Sequence, residues 1–136
     1  MSEDLLLRKV LGENSVIAIV GLSNKPHRDS YVVGEYLQHH GFRIVPVNPM
    51  CDEILGETCY DSLEAVPMKI DMVDCFRRSE LMPDIARSAV AIDAKCLWLQ
   101  LGLRNDEARS IAEAAGLDVV EDKCTKIEYA RLYDNN

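Results

Sequence analysis

The chain has 136 residues, 48% of them apolar, and a formal net charge of −8 from 23 acidic and 15 basic side chains. That length and apolar content suit a single folded domain over residues 1–136, while the negative balance argues against broad electrostatic binding to DNA, RNA or an anionic lipid surface. The longest apolar runs, such as Ser15 to Leu22 and Cys96 to Leu101, fall short of the ~20 residues that cross a bilayer; with no basic leader before the first apolar stretch, a cytoplasmic location is expected.

Ser2 to Leu11 reads as a leading helix. Val16 to Val20 is the first of five short runs rich in β-branched residues, followed by Arg43 to Val47, Ile70 to Cys75, Cys96 to Leu99 and Asp118 to Val120. Such runs read as buried parallel strands. Between them apolar residues recur at helical spacing: Val33, Tyr36, Leu37 and His40, then Leu81, Ile85, Ala89 and Ile92, then Ala108, Ile111, Ala112 and Ala115. Asp29 or Ser30, Ser79 and Asn105 are the expected N-caps, Gly41 and Gly116 the C-terminal caps, and Pro83 falls in a first helical turn. The stretch from Asn48 to Lys69 is least regular, with a small extended piece at Glu53 to Gly56 and a short helical turn at Ser62 to Ala65. Thr125 to Tyr133 reads as a trailing helix.

Alternating strands and helices predict an α/β fold, Rossmann-like and doubly wound, with a mainly parallel sheet of about five strands and helices on both faces. Ligands in such sheets bind beyond the carboxyl ends of the strands, where the winding reverses. Every candidate site residue comes from those ends.

The first strand runs directly into Gly21-Leu-Ser-Asn-Lys-Pro-His-Arg-Asp-Ser30, the position at which this fold presents backbone amides to phosphate. Gly21 permits close backbone approach, Ser23 offers a hydroxyl, and Lys25, His27 and Arg28 concentrate positive charge in an acidic chain, with Ser30 at the helix start. The bland alternative is a turn glycine and solvated loop charges. The loop lacks the second and third glycines of a dinucleotide fingerprint, and the second strand ends without an acidic residue for a ribose, which leaves NAD a minor alternative. That second strand end, Pro46-Val-Asn-Pro49, is stiff; Asn48 suits either an adenine edge or a turn held through its own backbone. Cys75-Phe-Arg-Arg-Ser79 brings Phe76, Arg77 and Arg78 to the third strand end, for an adenine face or a phosphate, or else Phe76 for the core and Arg77 and Arg78 for ion pairs with Glu80 or Asp74. Trp98-Leu-Gln-Leu-Gly102 ends the fourth strand: a tryptophan there is more often packing than platform, whereas Gln100 and Gly102 favour a site.

Taken in order, Ile19-Val-Gly-Leu-Ser-Asn-Lys-Pro26, Arg28-Asp-Ser-Tyr31, Val45-Pro-Val-Asn-Pro49, Leu55-Gly, Asp74-Cys-Phe-Arg-Arg-Ser79, Trp98-Leu-Gln-Leu-Gly102 and Lys126-Ile-Glu resemble the CoA-binding domain proteins of bacteria and archaea. These are related to the amino-terminal CoA-binding domain of the succinyl-CoA synthetase α subunit. The resemblance spans about Val16 to Leu132. It implies a coenzyme A or acyl-CoA ligand, with Ser23, Lys25 and Arg28 near the pyrophosphate and 3′-phosphate. Asn48, Pro49, Phe76 and Arg77 would line the adenosine side, and Trp98 and Gln100 would lie toward the pantetheine arm.

Catalytic groups are sparse. His27, His39 and His40 are the only histidines, and His39 and His40 sit where a helix carboxyl end favours them. The ligase subunit of the resemblance carries its phosphohistidine in a following domain, for which this chain is expected to have no room. Five cysteines without a C-x-x-C pair fit reduced thiols rather than a disulfide framework or a zinc site; Cys75 and Cys124 are the two expected near strand ends. The leading expectation is a module that binds CoA or acyl-CoA without catalysis and uses neither metal nor nucleic acid. An enzyme or enzyme subunit acting on a CoA thiol or thioester is the alternative, and a regulator binding NAD or another adenine nucleotide the lesser one.

Overall fold

The computed structural model describes residues 2–134; Met1, Asn135 and Asn136, which the single-domain expectation includes, lie outside the described residues. The elements in chain order are α1 (Glu3–Glu13), β1 (Val16–Val20), α2 (Asp29–His39), β2 (Arg43–Val47), a hairpin of β3 (Glu53–Ile54) and β4 (Glu57–Thr58), β5 (Met72–Cys75), α3 (Met82–Ala91), β6 (Cys96–Leu99), α4 (Asp106–Ala114), β7 (Asp118–Val120) and α5 (Thr125–Tyr129). Among the described residues no helix is long and apolar enough to cross a membrane.

Five strands form one parallel sheet in the order β2-β1-β5-β6-β7. Because successive side chains point to opposite faces, β1 sends Ile17 and Ile19 one way and Ala18 and Val20 the other. Ile17, Ile19, Met72, Cys96 and Trp98 pack against Leu7, Val10 and Leu11 of α1 and Val33 and Leu37 of α2, with Tyr129 of α5 alongside. Ala18, Val20, Val73, Cys75, Leu97 and Leu99 pack against Met82, Ala86 and Ala89 of α3 and Ala108 and Ala112 of α4. Both faces are covered, which is why the central strands read as continuous apolar runs.

The third predicted strand begins two residues late. Just before it, the Asp71 carboxylate accepts from the Ser15 and Val16 amides at the start of β1, at 3.2 and 3.0 Å. Caps divide similarly. Asn105 caps α4 as expected, accepting from the Ala108 amide at 2.8 Å. At α2 the N-cap is Arg28, without a side-chain cap. Ser79 instead opens a 3₁₀ turn, Ser79–Leu81, that feeds α3. Gly41 and Gly116 follow the ends of α2 and α4 with φ of +92° and +87°.

The irregular stretch resolves into the β3–β4 hairpin, turned at Leu55 and Gly56 with φ of 56° and 76°, as a two-residue hairpin turn of this twist requires. Past it, Tyr60 lies along the outer edge of β2: its amide donates to the Pro46 carbonyl at 3.0 Å and its carbonyl accepts from the Asn48 amide at 2.9 Å.

Candidate functional site

From β1 the chain crosses first to β2 on one side and later to β5 on the other, so the winding reverses between β1 and β5. The carboxyl ends of these two strands meet at Gly21. Its φ is +88°, and a β-carbon there would meet the Phe76 carbonyl oxygen and the Arg77 Cδ, each at 2.7 Å. Glycine is therefore required where the loop after β1 crosses the chain leaving β5; what approaches its backbone is protein.

The loop is held from within. The Ser23 amide donates to Ser30 Oγ at 2.9 Å and the Lys25 amide to Ser23 Oγ at 3.0 Å. Ser30 is buried, and its hydroxyl braces the loop in place of capping α2. Lys25, His27 and Arg28 are exposed and, among the described residues, make no ion pair. With Gly21, Ser23 and Phe76 they border a cavity of about 510 Å³ at the start of α2. The side chains of Lys25 and Arg28 and the amino end of α2 face one space, with the single carboxylate of Asp29 beside them, an arrangement that suits an anion.

A second cavity, about 570 Å³, adjoins the first: Asp29 and Phe76 line both. Its walls come from α2 (Val32, Val33), the turn after β6 (Gln100, Leu101, Leu103) and the start of α5 (Cys124, Ile127), with Arg77, Arg78 and Lys126 beside them. Arg77 also lines a hollow of about 240 Å³ together with Pro49, Val47 and Leu63 on the α3 side. Arg78 pairs with Glu80 at 3.1 Å, as one sequence reading anticipated, while Arg77 makes no ion pair among the described residues.

Four expectations change. Trp98 is fully buried, and its indole Nε1 donates to the Lys123 carbonyl at 2.7 Å. It is the penultimate residue of β6 and lies beneath α1 and α5, so it presents no surface to a ligand. Asn48 has both ends of its amide engaged, Nδ2 with the Leu22 carbonyl and Oδ1 with the Met50 amide, each at 2.9 Å; it stabilises the turn. Gly102, with φ of +88° and open space around it, serves a turn whose amide donates to Asp122 Oδ1 at 2.7 Å, and this bond holds the Asp122 carboxyl below its usual range. Cys75 is fully buried, with its thiol pushed well up by desolvation, so of the two cysteines only Cys124 reaches a cavity. Its thiol is also raised, by partial burial.

The residue that sequence reasoning undervalued is Asp74. It is fully buried on β5, where Oδ1 accepts from Gln100 Nε2 at 2.6 Å and Oδ2 from Thr125 Oγ1 at 3.2 Å; Gln100 also donates to Thr125 at 2.9 Å. Desolvation raises the Asp74 carboxyl to about 7, against the two hydrogen bonds, which lower it. A signal was present: a carboxylate inside an otherwise apolar two-faced strand needs partners. The network fixes Gln100 at the cavity wall. Elsewhere, His40 caps the end of α2, with Nδ1 at 2.8 Å from the Tyr36 carbonyl and its ring stacked on Tyr36. Among the described residues no cluster of three or more His, Cys, Asp or Glu is placed to hold a metal.

Residues 15–130 match the family described as the CoA binding domain. YneT of Bacillus subtilis (strain 168) is 40% identical over 124 residues, covering 91% of this chain and 92% of that protein. The structure of a hypothetical protein from Pyrococcus horikoshii OT3 is 39% identical and superimposes with a TM-score of 0.93 over 96% of this chain and 92% of the other. The ADP-forming acetate–CoA ligase II of Archaeoglobus fulgidus is 30% identical over 71 residues, which is 51% of this chain but 10% of the ligase.

Proposed function

The chain belongs to the CoA-binding domain family, and from that premise we propose that it is a single-domain cytosolic module that binds coenzyme A or an acyl-CoA without turning it over. The observation that supports this best is the pairing of two adjoining cavities, one bordered by the unpaired cations Lys25 and Arg28 and the other largely apolar, with Phe76 between them. Coenzyme A has the matching asymmetry, a phosphate-rich nucleotide at one end and an uncharged arm at the other.

In this reading Ser23, Lys25 and Arg28 receive the phosphates at the start of α2. Arg77 and Pro49 border the small hollow on the adenosine side, Phe76 lies against the ligand between the two larger cavities, and Gln100 meets the pantetheine arm. Binding without catalysis is the better reading because burial pushes up the Cys124 thiol, which lines the larger cavity, and so disfavours its nucleophilic form. Asp74, close enough to raise that thiol further, has both oxygens engaged by Gln100 and Thr125.

Thermal melts with CoA, 3′-dephospho-CoA, ATP and NAD test the assignment, since a ligand at 100 times its dissociation constant adds ~2.7 kcal/mol to a native state it binds exclusively. CoA should give the largest shift and NAD the smallest. Equal shifts from CoA and NAD would reject the reading.

A further inference from the structure

We propose that the larger cavity receives an uncharged aliphatic acyl group carried as a thioester, so that the preferred ligand is a short- or medium-chain acyl-CoA rather than free CoA or a dicarboxylic acyl-CoA. This rests on the CoA reading above and adds the chemical class of the ligand's far end.

The first support is where exposed apolar surface lies. Of the six large apolar side chains exposed among the described residues, Val32, Leu101 and Ile127, at 37%, 65% and 52%, line this one cavity. They come from three elements distant in sequence, α2, the turn after β6 and α5, and they continue inward to Val33, Leu103 and Phe76. A soluble chain that gathers exposed apolar groups at a concave site marks a place where an apolar group is received.

The second support is that two of the three cations lining the cavity, Arg78 and Lys126, have partners outside it. The Arg78 guanidinium pairs with Glu80, and the Lys126 ammonium lies 5.6 Å from the centroid of the Tyr36 ring; neither partner lines the cavity. Arg77 is shared with the hollow on the α3 side. The remaining charge is Asp29, on the rim common to both cavities.

The third support is polar. Gln100 is 4% exposed, and its Nε2 is committed to Asp74 and Thr125. Its Oε1 has no partner among the described residues although Gln100 lines the cavity, leaving one fixed acceptor for an amide N–H of the pantetheine arm. One acceptor among apolar walls fits an amide followed by a hydrocarbon.

Calorimetric titration of CoA, hexanoyl-CoA and succinyl-CoA against the wild type and Ile127→Asp tests this. Ile127 is half exposed, so the variant is expected to fold, and its melt is measured alongside. Hexanoyl-CoA should bind at least tenfold more tightly than CoA and than succinyl-CoA, and Ile127→Asp should bind hexanoyl-CoA no better than it binds CoA. Hexanoyl-CoA should also slow maleimide alkylation of Cys124, read by intact mass and peptide mapping, while Cys51 and Cys59 react at unchanged rates. Equal affinities for CoA and hexanoyl-CoA overturn the proposal and leave the CoA reading standing; failure of all three ligands to bind removes both. Tightest binding of succinyl-CoA overturns it in favour of an anionic occupant. A hexanoyl preference that survives Ile127→Asp with Cys124 unprotected overturns the location.

Discussion

Replacing Asp74 with asparagine should change how stability depends on pH. In the folded chain desolvation raises this carboxyl from 3.8 to about 7. The sign follows from proton binding: between those values the folded state keeps the proton and the unfolded state has lost it, so stability falls as pH rises. The contribution is complete below the unfolded value and is lost as pH passes through about 7. At ~1.4 kcal/mol per pH unit, the two units between pH 5 and 7 amount to about 3 kcal/mol. Asparagine reproduces the protonated acid, accepting from Gln100 through Oδ1 and donating to Thr125 through Nδ2, without an ionisable group. Urea denaturation of wild type and Asp74→Asn at pH 5, 6, 7 and 8 isolates the effect, because every other titrating group is common to both. The stability of the variant relative to wild type should improve by about 3 kcal/mol across that range. Parallel stability curves for the two proteins would refute the reasoning and would mean that the network holds an ionised carboxylate at ordinary cost.

Gly21→Ala should cost about 2–5 kcal/mol in urea denaturation, since it combines a left-handed backbone with displacement of the Phe76 carbonyl; a loss below ~1 kcal/mol would mean that the crossing of the two loops is slack. Arg28→Ala and Lys25→Ala should each weaken CoA binding about 10- to 150-fold, the equivalent of a charged hydrogen bond to phosphate, while leaving the unliganded melt nearly unchanged because exposed loop charges add little to folding. Wild-type affinity by calorimetry in both variants would move the phosphate site elsewhere.

The strands were legible because a parallel sheet covered on both faces leaves a strong mark in sequence. Val16–Val20, Arg43–Val47, Cys96–Leu99 and Asp118–Val120 were bounded correctly, since each apolar run is followed by a glycine or a polar residue. Helix starts were less legible. Ser79 and Asn105 look equally good as caps, but the Ser79 hydroxyl donates to the Arg104 carbonyl, a partner 25 residues away that local pattern cannot supply. The same limit applies at the site. Alternation along β6 places Trp98 and Cys96 on one face, yet only the packing of α1 and α5 decides that this face is closed to ligand. Asn48 was ambiguous by residue type; the Met50 amide makes it a turn residue, and the Leu22 carbonyl, 26 residues away, engages the other end of its amide. The second cavity is built by residues from four separate segments, among which Val32, Leu103 and Ile127 look like ordinary helix and turn residues until the fold brings them together.

The Pro46–Tyr60 contact at the rim of β2 bears on self-association. An open strand edge normally displays a row of amides and carbonyls that another copy can extend, a route to fibrils or swapped dimers. Here the pyrrolidine ring removes one amide from the row, and Tyr60 occupies the neighbouring carbonyl and the Asn48 amide. Backbone groups at the carboxyl end of β2 are thereby withheld from an incoming strand, so growth of the sheet by addition of a second molecule is blocked next to the loops that border the candidate site.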